Sequence, residues 1–263
     1  MIELAVGRAR LVYAPERGGR LVSLTVDGLD LLVTPDVEDH NYGSFPMAPW
    51  AGRVRRGRFS FAGEEYELPA NNPPHAIHGV ARDHPWRDEG HQVGGGVMSV
   101  DLAPPWPFGG RVVQRLELTA DALSMTMEVH ATDRPMPASL GWHPWWARRL
   151  GRDEPLEVDL HAAAMYRRDD DGIAVADLVP IPPPPWDDCF TELGDPPAVL
   201  RWRDAVTVTL ETGCPDLVVF TEPDHAICVE PQTHPPDALN LGPAIVAPGE
   251  PLVASCRWRW ASG

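Results

Sequence analysis

Apolar and polar residues alternate with a period of two along most of this chain, and that pattern commits it to β-structure. Residues 115–119 (Arg-Leu-Glu-Leu-Thr) alternate. Residues 123–129 (Leu-Ser-Met-Thr-Met-Glu-Val) alternate again after the break Ala120-Asp121-Ala122, as the arms of a hairpin do. Residues 206–210, 217–220, 226–229 and 252–258 also read as strands. Nearer the start, residues 20–26 and 31–33 flank Asp27-Gly28, and Phe59-Ser-Phe61 leads through Ala62-Gly63 to Tyr66. Helical windows are almost absent. The one candidate is 160–168, with its run Ala162-Ala163-Ala164.

Thirty prolines and 23 glycines punctuate the pattern at short intervals, which suits many strands and long connecting loops. Residues 103–107 and 180–186 are too rich in proline to be strands. Neither stretch reads as a linker, because strand patterning resumes on both sides with unchanged composition, and no internal repeat is visible. The expectation is one all-β domain over residues 1–263, a large antiparallel β-sandwich.

A chain of 263 residues with 43% hydrophobic residues can bury a substantial core. Its 22 basic and 38 acidic residues give a net charge of −16, which argues against a nucleic-acid partner and an anionic membrane surface. Every basic residue is arginine. Without lysine there is no Schiff base, no pyridoxal phosphate anchor and no P-loop lysine. Cys189, Cys214, Cys228 and Cys256 are scattered singly, with no paired spacing that suggests zinc. Nothing resembles a signal peptide or an apolar membrane span, so the expected compartment is the cytoplasm, with free thiols.

Four segments hold the residues able to do chemistry. Arg53 follows Trp50-Ala-Gly and suits sugar hydroxyls, although a solvated turn arginine reads as well. His78 precedes Gly79 at a strand end or turn, where either a functional or a structural imidazole fits. In Leu140-Gly-Trp-His143-Pro-Trp-Trp146, a histidine among three tryptophans is partly desolvated, so its neutral form is favoured. The indoles offer faces for stacking a sugar ring, or simply an aromatic core corner. Glu230 ends the apolar run 227–229, where a carboxylate is either a salt-bridge anchor or a general base, with Gln232 and Asn240 as candidates to hold it or a substrate. In Trp186-Asp187-Asp188-Cys189-Phe190, an acid able to bind hydroxyls competes with a solvated acidic turn. A metal site among His75, His78, His84 and His143 matches no known ligand spacing, so none is expected.

These segments, in this order, resemble the aldose 1-epimerase (galactose mutarotase) family. The resemblance runs from about Gly43 to Asn240. It rests on Gly52-Arg53-Val54 with Gly57-Arg58-Phe59, His78-Gly79, Trp142-His143-Pro144, Asp187-Asp188-Cys189-Phe190 and Glu230-Pro231-Gln232. It implies a galactose mutarotase-like β-supersandwich that binds a pyranose, an aldohexose, in an open cleft. It also implies Glu230 as general base, His143 as general acid, His78 and Arg53 as substrate contacts, and Asp187 as the acid for sugar hydroxyls. The doublet leaves Asp187 or Asp188 open for that last role. The implied reaction is anomer interconversion by ring opening and closure, which needs an acid and a base but no cofactor and no metal.

The chain departs from the family pattern in ways that leave the sugar open. Val80 stands where a second glycine is common, the surroundings of His143 are more apolar, and the chain is shorter than typical members. His78-Gly-Val-Ala-Arg82 also resembles glucose-6-phosphate 1-epimerases, and Arg53, Arg55, Arg56, Arg58 and Arg82 supply cations for a phosphate. The strong negative charge weighs the other way. A carbohydrate-binding protein that keeps the fold without catalysis is the remaining alternative.

Overall fold

The computed structural model describes residues 1–34, 41–151 and 154–262. Alternating segments become antiparallel strands arranged in two layers. In the first layer Ile2–Val6, Ala9–Ala14, Arg20–Val26, Ser44–Met47, Gly141–Ala147, Ala226–Gln232 and Asp216–Phe220 lie side by side in that order. In the second, Val206–Thr212, Leu252–Ser262, Ala122–His130, Arg111–Leu118, Gly95–Asp101 and Arg87–Gln92 follow one another.

One long strand, Asp187–Trp202, belongs to both layers. Residues 187–190 pair with 217–220 of the first layer, and residues 198–202 pair with 206–210 of the second. Its other neighbour, Glu157–Arg168, bends with it through a register shift between Leu160 and Ala162. Glu192, at φ +54°, marks the corner on the long strand. An irregular residue in a ladder bends and twists the strand, which lets one strand change sheets.

The two layers close on a shared core. Trp142 Nε1 of the first donates to Gln114 Oε1 of the second across 2.8 Å. Trp146 meets Trp258 edge-on at 4.6 Å between ring centroids. Leu11, Leu24, Val112, Met125 and Met127 are fully buried between them. Burying side chains of this size supplies most of the drive to fold, at about 1.5–3 kcal/mol each.

The expected helix over 160–168 is a strand. Its alanines sit opposite larger partners, Ala162 facing Leu193 and Ala164 facing Thr191, so ladder pairing and packing override helix propensity. Among the described residues the α-helix is a single turn, Ala238–Leu241, and no helix is long and apolar enough to cross a membrane. The acidic doublet also differs from a turn, since Asp187 opens the sixteen-residue strand. Nor does Glu230 end its strand, which runs on to Gln232.

Candidate functional site

Period-two alternation decides which side chains reach the outer face of the first sheet. In Gly141–Ala147, Trp142 and Trp146 enter the core while His143 and Trp145 point the opposite way. Of the three tryptophans around His143 in sequence, only Trp145 shares its face. In Ala226–Gln232, Ile227 and Val229 pack inward, so Cys228, Glu230 and Gln232 share that outer face. Register then sets neighbours side by side: His143 opposes Phe45, Trp145 opposes Cys228, and Glu230 opposes Val218.

This outer face floors a cleft of about 340 Å³, a size suited to one small ligand. His143, Glu230, His78, Arg53, Asp187 and Gln232 all line it. Hollows of about 560 and 940 Å³ on the second sheet are larger but more open, and neither brings a buried acid and base together.

His143 Nε2 lies 3.3 Å from Glu230 Oε1. His143 is 6% exposed and Glu230 2%, so neither has water enough to hold a charge cheaply. Burial pushes the Glu230 carboxyl well above its ordinary range, Asp187 adds to this, and Gln232 and Arg53 oppose it. Burial also brings the His143 imidazole down to about 3, aided by Arg82 and Arg20. At this distance the two groups hold one proton between them, and burial favours the uncharged arrangement. Gln232 Nε2 donates to Glu230 Oε2 at 3.3 Å and favours the carboxylate instead.

Aromatic rings fix the imidazole plane. Phe45 stacks on one face of His143 at 4.7 Å and Trp145 on the other at 5.0 Å. His78 meets His143 edge-on at 5.0 Å, and burial, with His143 next, holds its ring well below the usual imidazole value. His78 reaches this place through unusual backbone, with φ +64° and its N–H donating to Gly52 O. Gly79 follows at φ +71°, where a Cβ would come within 2.0 Å of Ala48 O. Only glycine fits there.

Arg53 and Arg168 reach Asp187 Oδ2 from two sides, at 3.7 and 3.5 Å. Burial raises the Asp187 carboxyl, and the two arginines counter it. Asp187 shares the outer face with Cys189, opposite Phe220, while Asp188, next along the strand, also lines the cleft and lies 3.9 Å from Arg168 Nη1. Of the five arginines weighed for a phosphate, Arg53 and Arg82 line the cleft. Arg55 is engaged by Asp169, Asp171 and Asp237, Arg56 reaches Asp171, and the exposed Arg58 pairs with Glu67. Asn240 does not approach Glu230, since its amide donates to Arg58 O and Asp237 Oδ1. His75 is buried away from the floor, with Nδ1 accepting from the Arg56 N–H.

His143, Cys228 and Glu230 bring ligand atoms within 4.8 Å of one another, the spacing a metal would require. The surroundings fit a metal poorly. His143 Nδ1 has no hydrogen-bond partner among the described residues, whereas a ligating histidine normally donates its second nitrogen to an orienting acceptor.

A sequence model described as Aldose 1-epimerase matches residues 1–259. The chain belongs to the aldose 1-epimerase family. The uncharacterized protein YphB of Escherichia coli (strain K12) is 34% identical over 108 residues. That match spans 39% of this chain and 36% of the relative, so about a third of that protein's length is covered. Solved structures share the fold at lower identity. A putative aldose 1-epimerase from Escherichia coli K12 superposes with a TM-score of 0.86 at 21% identity, over 99% of this chain and 98% of its own. Galactose 1-epimerase from Lactobacillus acidophilus NCFM gives 0.82 at 19% identity, over 98% and 92%. The fold is thus galactose mutarotase-like, as the resemblance implies.

Sequence reasoning missed Phe45, Cys228 and Arg168 as parts of this cleft. Phe45 lies in a four-residue strand with too few positions to show a period. Arg168 ends the segment taken for a helix, and only as a strand does its side chain reach Asp187.

Proposed function

We propose that this member of the family is a cofactor-independent aldose 1-epimerase acting on a free aldohexose. The observation that carries the reading is the 3.3 Å contact between His143 Nε2 and Glu230 Oε1 on the buried floor of the cleft. The C1 hydroxyl and the ring oxygen of a pyranose are bonded to the same carbon, so a touching acid and base can address both at once.

In the reactive form of the pair the shared proton sits on His143 and Glu230 is a carboxylate, the form that Gln232 favours. Glu230 then accepts the proton of the C1 hydroxyl as His143 gives its own to the ring oxygen. The C1–ring oxygen bond breaks, its electron pair stays on that oxygen, and the C1–O1 bond becomes the aldehyde carbonyl. Rotation about C1–C2 presents the other carbonyl face. The ring hydroxyl then re-adds to C1, returning its proton to His143, while Glu230 protonates O1. Charge is conserved and the proton inventory of the pair is restored. His78, beside His143, and Arg53 contact the substrate and its developing charge. Asp187, held by Arg53 and Arg168, accepts from sugar hydroxyls.

A neutral sugar is favoured over a hexose phosphate because Arg55, Arg56 and Arg58 are turned to acids outside the cleft floor. Polarimetry on freshly dissolved α-D-glucose, α-D-galactose and their 6-phosphates tests the reading. Accelerated mutarotation of the free sugars supports it. Sugar binding by calorimetry with no acceleration over buffer would replace it with a binding protein.

A further inference from the structure

A buried carboxyl lies beside the proposed base without belonging to the acid–base pair. Asp216 opens the Asp216–Phe220 strand, is 3% exposed, and faces Gln232 directly in register. Opposed residues of an antiparallel pair point to the same side, with Cβ atoms about 4.5–5.5 Å apart. That side is the floor of the cleft, because Val218 and Phe220 of the same strand line it.

Two oxygens on this facing pair lack partners. Gln232 gives its Nε2 to Glu230, which leaves Oε1 buried and without a hydrogen bond among the described residues. Asp216 Oδ1 is likewise buried and without one. Each buried unsatisfied acceptor costs about 1–3 kcal/mol, and the two belong to residues opposed in register. One proton resolves both.

We infer that Asp216 is a positioning residue for the base: protonated on Oδ1, it donates to Gln232 Oε1 and fixes that amide with Nε2 toward Glu230. The inference rests on the proposed role of Glu230 and names what orients it. The amide has two orientations. With Nε2 toward Glu230 it stabilises the carboxylate, the form able to accept the C1 hydroxyl proton. Reversed, it would present Oε1 to Glu230 and require a proton there, which removes the base. The proton on Asp216 selects the first orientation.

The groups facing Asp216 agree with a protonated carboxyl. Tyr166 of Glu157–Arg168 and Thr191 of Asp187–Trp202 bring hydroxyls near it, Cys189 and Cys214 lie close by, and Gln232 faces it from Ala226–Gln232, with Glu230 two residues earlier on that strand. Burial holds Cys189 well above its usual value, Cys214 near 11 and Tyr166 near 12, so none of these three is charged at neutral pH. Burial raises Asp216 itself to about 6, with the nearby Thr191 and Tyr166 hydroxyls acting the other way. A hydrogen bond made only by the protonated form raises it further.

Mutarotation measured against pH on the full chain tests this, with Asp216→Asn and Asp216→Ala beside wild type. An asparagine donates permanently to Gln232 Oε1. Wild-type kcat is expected to fall as pH rises through the titration of Asp216, and Asp216→Asn to lose that decline. Asp216→Ala is expected to lose about tenfold in kcat with KM changed less than about twofold, the scale of one misdirected hydrogen bond. A second readout needs no activity. The infrared carbonyl band of a protonated carboxylic acid, absent in Asp216→Asn, should titrate at lower pH in Gln232→Leu than in wild type. An Asp216→Asn profile that keeps the wild-type decline, or an infrared titration that Gln232→Leu leaves unmoved, overturns the inference. Wild type with no mutarotation at all sinks the proposed function instead, and the infrared titration then decides the Asp216–Gln232 contact alone.

Discussion

The outer faces of the two sheets are built from the same alternation and could hardly differ more. On the second sheet the outward positions around Glu211 are Ser124, Thr126, Thr209, Arg257 and Arg259, and like Glu211 itself none of them is buried. There Glu211 lies 3.7 Å from Arg257 and 2.9 Å from Arg259, in contact with water. On the first sheet the outward positions around the cleft are Phe45, His143, Trp145, Glu230, Gln232 and Asp216, all of them buried. The short ladder of Arg53–Val54 with Ala76–Ile77 brings Arg53, Ile77 and His78 to the edge of that face. Water pays nothing toward charge on the covered face, so a carboxyl there is retained for what it does rather than for stability.

The sharpest way to break this contrast is to neutralise one acid on each face. Glu230→Gln should lose about 10²–10⁴-fold in mutarotation, the usual contribution of a general base, and melt no lower than wild type. His143→Ala should lose a comparable factor. Polarimetry with a thermal melt on the same samples checks both, and unchanged rates in well-folded variants would end the acid–base assignment. Reading the other side of the same strand, Trp142→Ala should lower stability by about 3–5 kcal/mol in denaturant unfolding. It removes a buried indole and leaves Gln114 Oε1 without its donor. A loss below about 1 kcal/mol would mean that the two layers do not close on Trp142.

Much of this contrast was legible in the sequence, and the exceptions share a cause. Alternation in residues 115–129 marks a hairpin that the structure pairs from Leu118 opposite Leu123 outward. His78, His143, Arg53, Asp187 and Glu230, separated by up to about 180 positions in sequence, do meet in one cleft. Period-two reasoning fails where a strand bends between layers. Across the corner at Glu192 and its neighbour around Leu160, inside and outside exchange meaning, so residues 160–168 imitate a helix and Arg168 goes unnoticed. Pairing is also silent in the sequence. Nothing in the run 226–232 says that Glu230 lies between His143 and Val218, because the strands carrying those two residues are chosen by the whole fold.

Titration sharpens the comparison at a smaller scale. In the unfolded chain His143 takes up a proton near its ordinary value of about 6.5, whereas burial in the fold holds it down to about 3. A depressed histidine binds fewer protons folded than unfolded. Its contribution to stability is therefore complete above about 6.5 and is lost as pH falls toward 3, by at most about 1.4 kcal/mol per pH unit. His143→Gln should remove this part of the acid sensitivity, seen as a wild-type minus variant difference in unfolding free energy that shrinks between pH 6.5 and pH 3. A difference independent of pH would mean that the imidazole is hydrated in the folded protein.

The smallest effect is expected on the open face. Glu211 sits between Arg257 and Arg259 with about a third of its side chain exposed. Ion pairs so placed are screened by water and salt and are worth about 0.2–1 kcal/mol. Glu211→Gln should therefore shift unfolding by less than about 1 kcal/mol at low ionic strength and by nothing measurable in about 1 M salt, where the screening length falls to about 3 Å. A larger, salt-resistant loss would show that this face is shielded from solvent as the cleft is. The division between a covered sheet that holds chemistry and an open sheet that holds only solubility would then not stand.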